Sequence, residues 1–199
     1  MSRKLPRFLK LTLQIMASIA VLGSLSAAPA AAQGWAINKD KSRITFEIDA
    51  GGQPVIGEFQ QFEAEIRFDP EHLDITEISA AIDINTISTG QSETDNALRS
   101  KEWFDAQTFP AVGLKVQSVN PGAADRQFVL EGQLIVKGRM QPITLPFNLA
   151  IDLGEATVTG ETVVDRQKFG VGPGSSAPGT PIGDQVRVKF DISATRLDN

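Results

Sequence analysis

The sequence predicts an all-β domain of eight antiparallel strands with one short helix. Three observations predict it. Apolar residues recur at every second position over long stretches, most clearly Ile143–Ile151 and Val186–Ala194. Such alternation sets one face of a strand on an apolar interior and the other in water. Turn formers punctuate these stretches: Gly51-Gly52, Asp69-Pro70, Asn120-Pro121-Gly122, Lys137-Gly138 and Gly154. A single segment, Ser92–Phe104, has helical character. Connections this short make neighbouring strands antiparallel. Eight such strands form a closed barrel or a sandwich, and closure is expected because it removes both exposed edges.

The elements follow in order. Residues 1–32 have a basic start (Arg3, Lys4, Arg7, Lys10), a short apolar stretch to Leu25 and the small-residue run SAAPAAA. This is the layout of a secretory signal peptide, cut after Ala32, and it places the mature domain, residues 33–199, in a bacterial periplasm. The apolar stretch is too short and too polar for a membrane anchor. Strands are predicted over residues 42–49, 55–68 (with a bend at Gln60–Gln61), 75–85, 111–119, 127–138, 142–153, 156–166 and 185–196. Pro142 and Pro146 suit a rim or outward position without a ladder partner. The Ser92–Phe104 segment reads as three helical turns, capped by Ser92 with Asp95 behind it, that turn Leu98 and Trp103 or Phe104 inward. Gly170–Gly183 has five Gly and three Pro and reads as a mouth loop.

Composition removes several chemistries. The chain of 199 residues has no Cys and one His. Thiol nucleophiles, disulfides, thiolate metal sites, haem attachment and multi-His metal sites are therefore excluded. Without the first 32 residues and their four basic side chains, the formal charge falls from −5 to −9. A chain this acidic does not present the positive field that attracts nucleic acid or anionic membranes.

FGVGPG at Phe169–Gly174 lacks the following helix that a phosphate loop needs. His72, between Glu71 and Asp74, reads as an exposed turn residue. No G-x-S-x-G elbow is present. Glu63 and Glu65 alternate outward, and Asp49 and Asp83 show no convergence into a carboxylate pair. Asp165-Arg166 reads either as an ion pair at a barrel end or as a mouth site at which Arg166 meets an anionic head group. What is left is an apolar interior. Alternation assigns to it Phe46, Ile48, Phe68, Ile82, Ile84, Leu98, Trp103, Phe104, Leu114, Val116, Leu134, Leu145, Phe147, Phe169 and Phe190. An eight-stranded barrel can be filled by such side chains or hold one slender ligand, and alternation does not choose between them.

An ordered set of motifs resembles the YceI-like family of periplasmic polyisoprenoid-binding proteins. WAINKDKSRITFEI is similar to its Trp…Ser-x-Ile/Val-x-Phe opening through Trp35, Ser42, Ile44 and Phe46. GEFQQFEAEIRFDP carries Gly57, Phe59, Phe62, Phe68, Asp69 and Pro70 in matching places. INTISTG, TDNALRSKEWFDAQTFPAV, GQLIVKGRMQPITLPF and VDRQKFGVG follow in the family's order, and the match spans Trp35 to Ala194. Thr94 and Ala97 stand where the family usually has Arg and His, which bears on head-group preference.

The resemblance implies an extended lipocalin-like barrel whose pore binds a long isoprenoid, polyprenyl or quinone-type, with no covalent cofactor and no catalysis. The interior residues above would line that pore, and Asp95, Asp165 and Arg166 would stand at its mouth. The ending resembles members associated with cytochrome b561-type membrane proteins, which makes such a protein a candidate partner. A homodimer is compatible with this reading. The competing expectations are an enzyme acting on an amphiphile at the mouth and a stress-linked interaction protein with a packed core.

Overall fold

The computed structural model describes residues 33–173 and 181–197. Residues 1–32, read from the sequence as a signal peptide, and residues 174–180 of the Gly/Pro-rich loop lie outside the described residues. The strands are β1 (Gly34–Ile37), β2 (Arg43–Ala50), β3 (Gln53–Phe59), β4 (Phe62–Arg67), β5 (Glu77–Asp83), β6 (Ile87–Ser88), β7 (Ala111–Pro121), β8 (Gln127–Val136), β9 (Arg139–Asp152), β10 (Glu155–Asp165) and β11 (Ile182–Arg196). The helix α1 is Ser92–Arg99. Among the described residues no helix is long and apolar enough to cross a membrane.

These strands make one closed antiparallel barrel of eight staves. β1 and β2 pair with successive lengths of β11: Trp35–Ile37 against Ala194–Arg196, then Arg43–Ile48 against Val186–Asp191. β3 pairs with β2 and β4 with β1, so these two strands are likewise one stave broken in the middle. The break falls at Gln60–Gln61, where the sequence predicts a bend. β5 and β6 form the third stave, on β4 and β3. β7 to β11 follow as single staves, each antiparallel to the one before. Since β11 closes on β1 and β2, no stave is left as an edge.

The turns explain the register. Gly51-Gly52, Lys137-Gly138 and Leu153-Gly154 each join two strands with both φ angles positive. This two-residue turn matches strand twist and favours Gly at its second position. On β3, Gly57 faces Phe46 across the ladder, and a Cβ there would overlap the Phe46 ring. A missing side chain thus gives a large one its place.

Three expectations are corrected. The helix has two turns, not three: Ser100 is extended at φ −63°, ψ 165°, and Trp103 and Phe104 lie in the turns beyond. Gln91, not Ser92, is the N-cap, because Asp95 accepts from Thr89 instead of from the helix start. Trp35 belongs to a separate short strand that the sequence reading left out. On β7, the register shifts between Val116 and Ser118, opposite Gly132. This bulge moves the inward set from even positions to Val119, which is buried.

Candidate functional site: an apolar cavity through the barrel

Alternate side chains from every stave turn inward and pack into two clusters, one at each end. The helix-end cluster holds Phe46, Phe59, Ile84, Ile87, Leu98, Val112, Val136, Phe169 and Val171. The far cluster holds Trp35, Phe68, Val119, Leu130, Phe147, Leu149, Ala156 and Ala194. A cavity of about 330 Å³ runs between them, within the range of small-molecule sites. Its walls are aliphatic and aromatic. Besides the indoles of Trp35 and Trp103, only Thr162 and Arg166 bring polar side-chain atoms to it. The Thr162 hydroxyl donates to the Thr144 carbonyl at 3.1 Å.

Thirteen of the fifteen interior residues read from the sequence line this cavity: Phe46, Ile48, Phe68, Ile82, Leu98, Trp103, Phe104, Leu114, Leu134, Leu145, Phe147, Phe169 and Phe190. Ile84 and Val116 do not. Ile84 begins a turn of 3-10 helix and is fully buried in the helix-end core. Val116 stands at the bulge and packs on the far cluster. Ile143, Val186, Val188 and Ile192, which the alternation also turns inward, line the cavity with those thirteen, as does Ile44.

The mouth candidates are not brought together as a binding set. Arg166 lines the cavity but is only 3% exposed, and all five of its N–H groups are engaged. Nε donates to Gly183 O at 2.8 Å. Nη1 donates to Val171 O and Pro173 O, both at 2.8 Å. Nη2 donates to Ile182 O at 3.0 Å and to Asp184 Oδ1 at 3.2 Å. Its guanidinium also lies 5.7 Å from the Trp103 ring centre. Arg166 is therefore the clamp that ties the Phe169–Pro173 segment to β11, with no donor left for an anionic head group. Asp165 does not line the cavity; it caps the turn after β10 by accepting from Gln167 N at 3.0 Å.

Asp95 is buried beside the cavity rather than in it. The Thr89 hydroxyl, at 2.7 Å, and the Thr89 backbone N–H, at 2.6 Å, donate to its Oδ1. These bonds hold its carboxyl below the usual Asp range. It thereby pins the loop from β6 to α1. Arg99 donates from the same helix to Ile87 O at 3.1 Å. Lys137 reaches up from its hairpin to Lys101 O, Glu102 O and Gly170 O at 2.8, 3.2 and 3.1 Å. The polar groups of this end satisfy one another.

The far end is closed differently. Phe128 stacks on Phe147 with centroids 5.5 Å apart and meets Phe68 edge-on at 5.9 Å. Trp35 Nε1 donates to Phe68 O at 2.9 Å. Just beyond, His72 Nδ1 lies 3.0 Å from Asp69 Oδ2 at the surface, which raises the imidazole above its ordinary pKa; the Asp69 carboxyl is lowered first by the Glu71 N–H donated to it and then by His72. Among the described residues no group of three or more His, Asp or Glu side chains could hold a metal. The arrangement suits the enclosure of an apolar molecule.

Comparison with known proteins agrees with this architecture. A UPF0312 protein of Photorhabdus laumondii is 28% identical over 138 residues, covering 69% of this chain and 71% of that one. The crystal structure of BcnA from Burkholderia cenocepacia is 25% identical and superposes with a TM-score of 0.75 over 80% of this chain and all of that one. A polyisoprenoid binding domain from Saccharophagus degradans, implicated in plant cell wall breakdown, shares the fold at 14% identity, with a TM-score of 0.67 over 83% of this chain and 99% of that one. The YceI-like domain model matches residues 35–194, so the chain belongs to the YceI-like domain family.

Proposed function

We propose that this protein is a non-enzymatic binding and carrier protein for a long-chain isoprenoid lipid, whose apolar chain occupies the barrel. The observation that carries the reading is the cavity itself: apolar on all eight staves, with its one charged side chain already fully hydrogen-bonded. The printed description of the Saccharophagus degradans domain as polyisoprenoid binding supports the ligand class. Affinity would come from burying the chain at about 25 cal/mol per Å² of apolar surface, less the cost of ordering it. The leader-like residues 1–32 support export to a periplasm, where such a barrel would shield a water-insoluble chain between membranes. A quinone-type ligand and a cytochrome b561-type partner are the finer form of the proposal.

The test is native mass spectrometry of protein purified from its own host, followed by organic extraction and lipid identification. A stoichiometric isoprenoid is expected. Filling a cavity of about 330 Å³ is worth on the order of 8 kcal/mol at the usual cavity scaling. Extraction should therefore lower Tm by many degrees, and adding the lipid back should restore it. Leu145→Glu puts a charge on the cavity wall and should abolish uptake. A protein that carries no lipid and refuses added prenyl alcohols and quinones would overturn the proposal.

A further inference from the structure

The barrel wall is not laced along its whole height. The β9–β10 ladder runs from Asp152↔Glu155 to Phe147↔Gly160 and stops there. Both strands continue, β9 toward Arg139 and β10 to Asp165, and each stays paired on its other side, with β8 and β11. The unpaired lengths face each other.

The cause is chemical. The N–H and C=O of one residue point to the same side of a strand, and the side alternates along the chain. Thr144 O accepts from Thr162, so it faces β10. Pro142 and Pro146, two residues to either side, face β10 as well, and neither has an N–H to give. Of three successive positions on this edge of β9, the two outer ones lack a donor. Opposite them, Glu161 and Val163 keep the parity of Thr159, which pairs with Asn148 lower down.

This seam backs directly onto the cavity. Ile143 and Leu145 on one lip and Thr162 and Val164 on the other all line it. At the foot of the seam, the outer surface carries a groove of about 730 Å³ that includes Pro146, Gly160, Phe147 and Phe190. Phe147 and Phe190 also line the inner cavity. The two rings are thus shared by groove and cavity. A Cβ at Gly160 would overlap the Phe190 ring and crowd the Pro146 carbonyl. The exposed outward lips carry Met140, at 57%, and Val163, at 53%, beside Thr144 and Glu161.

We infer that the seam between β9 and β10 is a lateral portal, through which an extended apolar chain slides into the barrel from the side. The inference rests on the lipid-binding reading above for its cargo, but its geometry stands on the ladder and the prolines. A chain entering sideways parts no run of ladder pairs; along this length the Thr162 hydroxyl to Thr144 O is the side-chain bond that would have to open. At the helix end, by contrast, access would require breaking the Arg166, Lys137 and Asp95 bonds.

The chain has no Cys, so thiols can be placed at will. Continued ladder register would set Thr144 opposite Val163. Thr144→Cys with Val163→Cys, bridged by dibromobimane, closes the seam. Ser79→Cys with Lys115→Cys, opposite each other in the intact β5–β7 ladder, is the control. The readout is uptake of fluorescently labelled geranylgeraniol from phosphatidylcholine vesicles. Bridging the seam should slow uptake at least about tenfold, as expected when a gating step is blocked, while the control bridge leaves the rate unchanged. Bridging after loading should leave the amount bound unchanged. Equal rates in the two bridged proteins would overturn the portal. If the unbridged protein takes up no probe, the lipid-binding reading fails and the portal with it. The seam itself is then judged by amide exchange: Val163, beyond the last ladder pair, should exchange much faster than Thr157 and Thr159, and equal protection would show a laced wall.

Discussion

The two ends of the barrel are closed by different physics. The far end is an aromatic plug: Phe68, Phe128 and Phe147 in contact, with Trp35 bonded to the Phe68 carbonyl. Its strength is burial and ring geometry, which need only large apolar residues in the right alternation. The helix end is a polar frame. Arg166, Lys137, Asp95 and Arg99 tie together backbone segments far apart in the chain. Each bond there matters mainly through what its loss leaves unsatisfied. The aromatic end should therefore yield gradually to truncation, and the polar end should fail when a single member is removed.

The largest expected effect tests that difference. Arg166→Ala orphans the carbonyls of Val171, Pro173, Ile182 and Gly183. It should cost about 3–5 kcal/mol, in the range for breaking a buried charged network. Arg166→Lys should recover little, because one ammonium cannot reach the same fork of acceptors. Urea unfolding of the three proteins checks this, and a loss below 1 kcal/mol for alanine would erase the contrast between the ends.

Phe147→Ala at the other end should cost about 3 kcal/mol, the low side of the range for buried Phe. One face of its ring looks into the cavity and has fewer contacts to lose. The protein should stay folded, and the same urea series reads the loss.

Asp95→Asn should cost about 1 kcal/mol, the scale of a weakened buried hydrogen bond. Its pH dependence sharpens the comparison. The folded pKa of Asp95 is lowered by the Thr89 hydroxyl and amide. Its contribution is therefore fully present above the unfolded value near 3.9 and is lost as pH falls through the folded value. The gap between wild type and Asp95→Asn should close in acid, as measured by urea midpoints from pH 6 down to pH 2.

The smallest effect belongs to the exposed pair beyond the aromatic plug. Asp69 raises the His72 pKa. The stability from this imidazole is present below its unfolded pKa near 6.5 and is lost as pH rises through the folded value above it. His72→Gln should lower Tm slightly in mildly acidic buffer and leave it unchanged in alkaline buffer. Identical Tm values throughout would mean that solvent screens the pair completely.

How much of this was legible depended on whether the signal was local. Period-two alternation needs only neighbours along one chain, so the eight staves and thirteen residues of the cavity wall could be read directly. The three tight hairpins were marked by Gly51-Gly52, Gly138 and Gly154. Where a partner strand intervened, the local signal misled. The β7 bulge follows Val116, opposite Gly132, and carries the inward set on to Val119, while Val116 packs into the far cluster. The helix stopped at Arg99 because the residues after it bond to turns and to Lys137 rather than to the next helical turn.

The charged residues show the same limit. By itself the sequence determined an antiparallel eight-strand domain with an apolar interior, because hydrophobic period and turn chemistry are properties of short segments. Only the tertiary structure decided that the interior holds a cavity, that Arg166 is a clamp with every N–H committed, and that Pro142 and Pro146 unlace one side of the wall. Hydrogen-bond satisfaction and voids are relations between residues distant in the chain, and no alternation along one strand encodes what stands across from it.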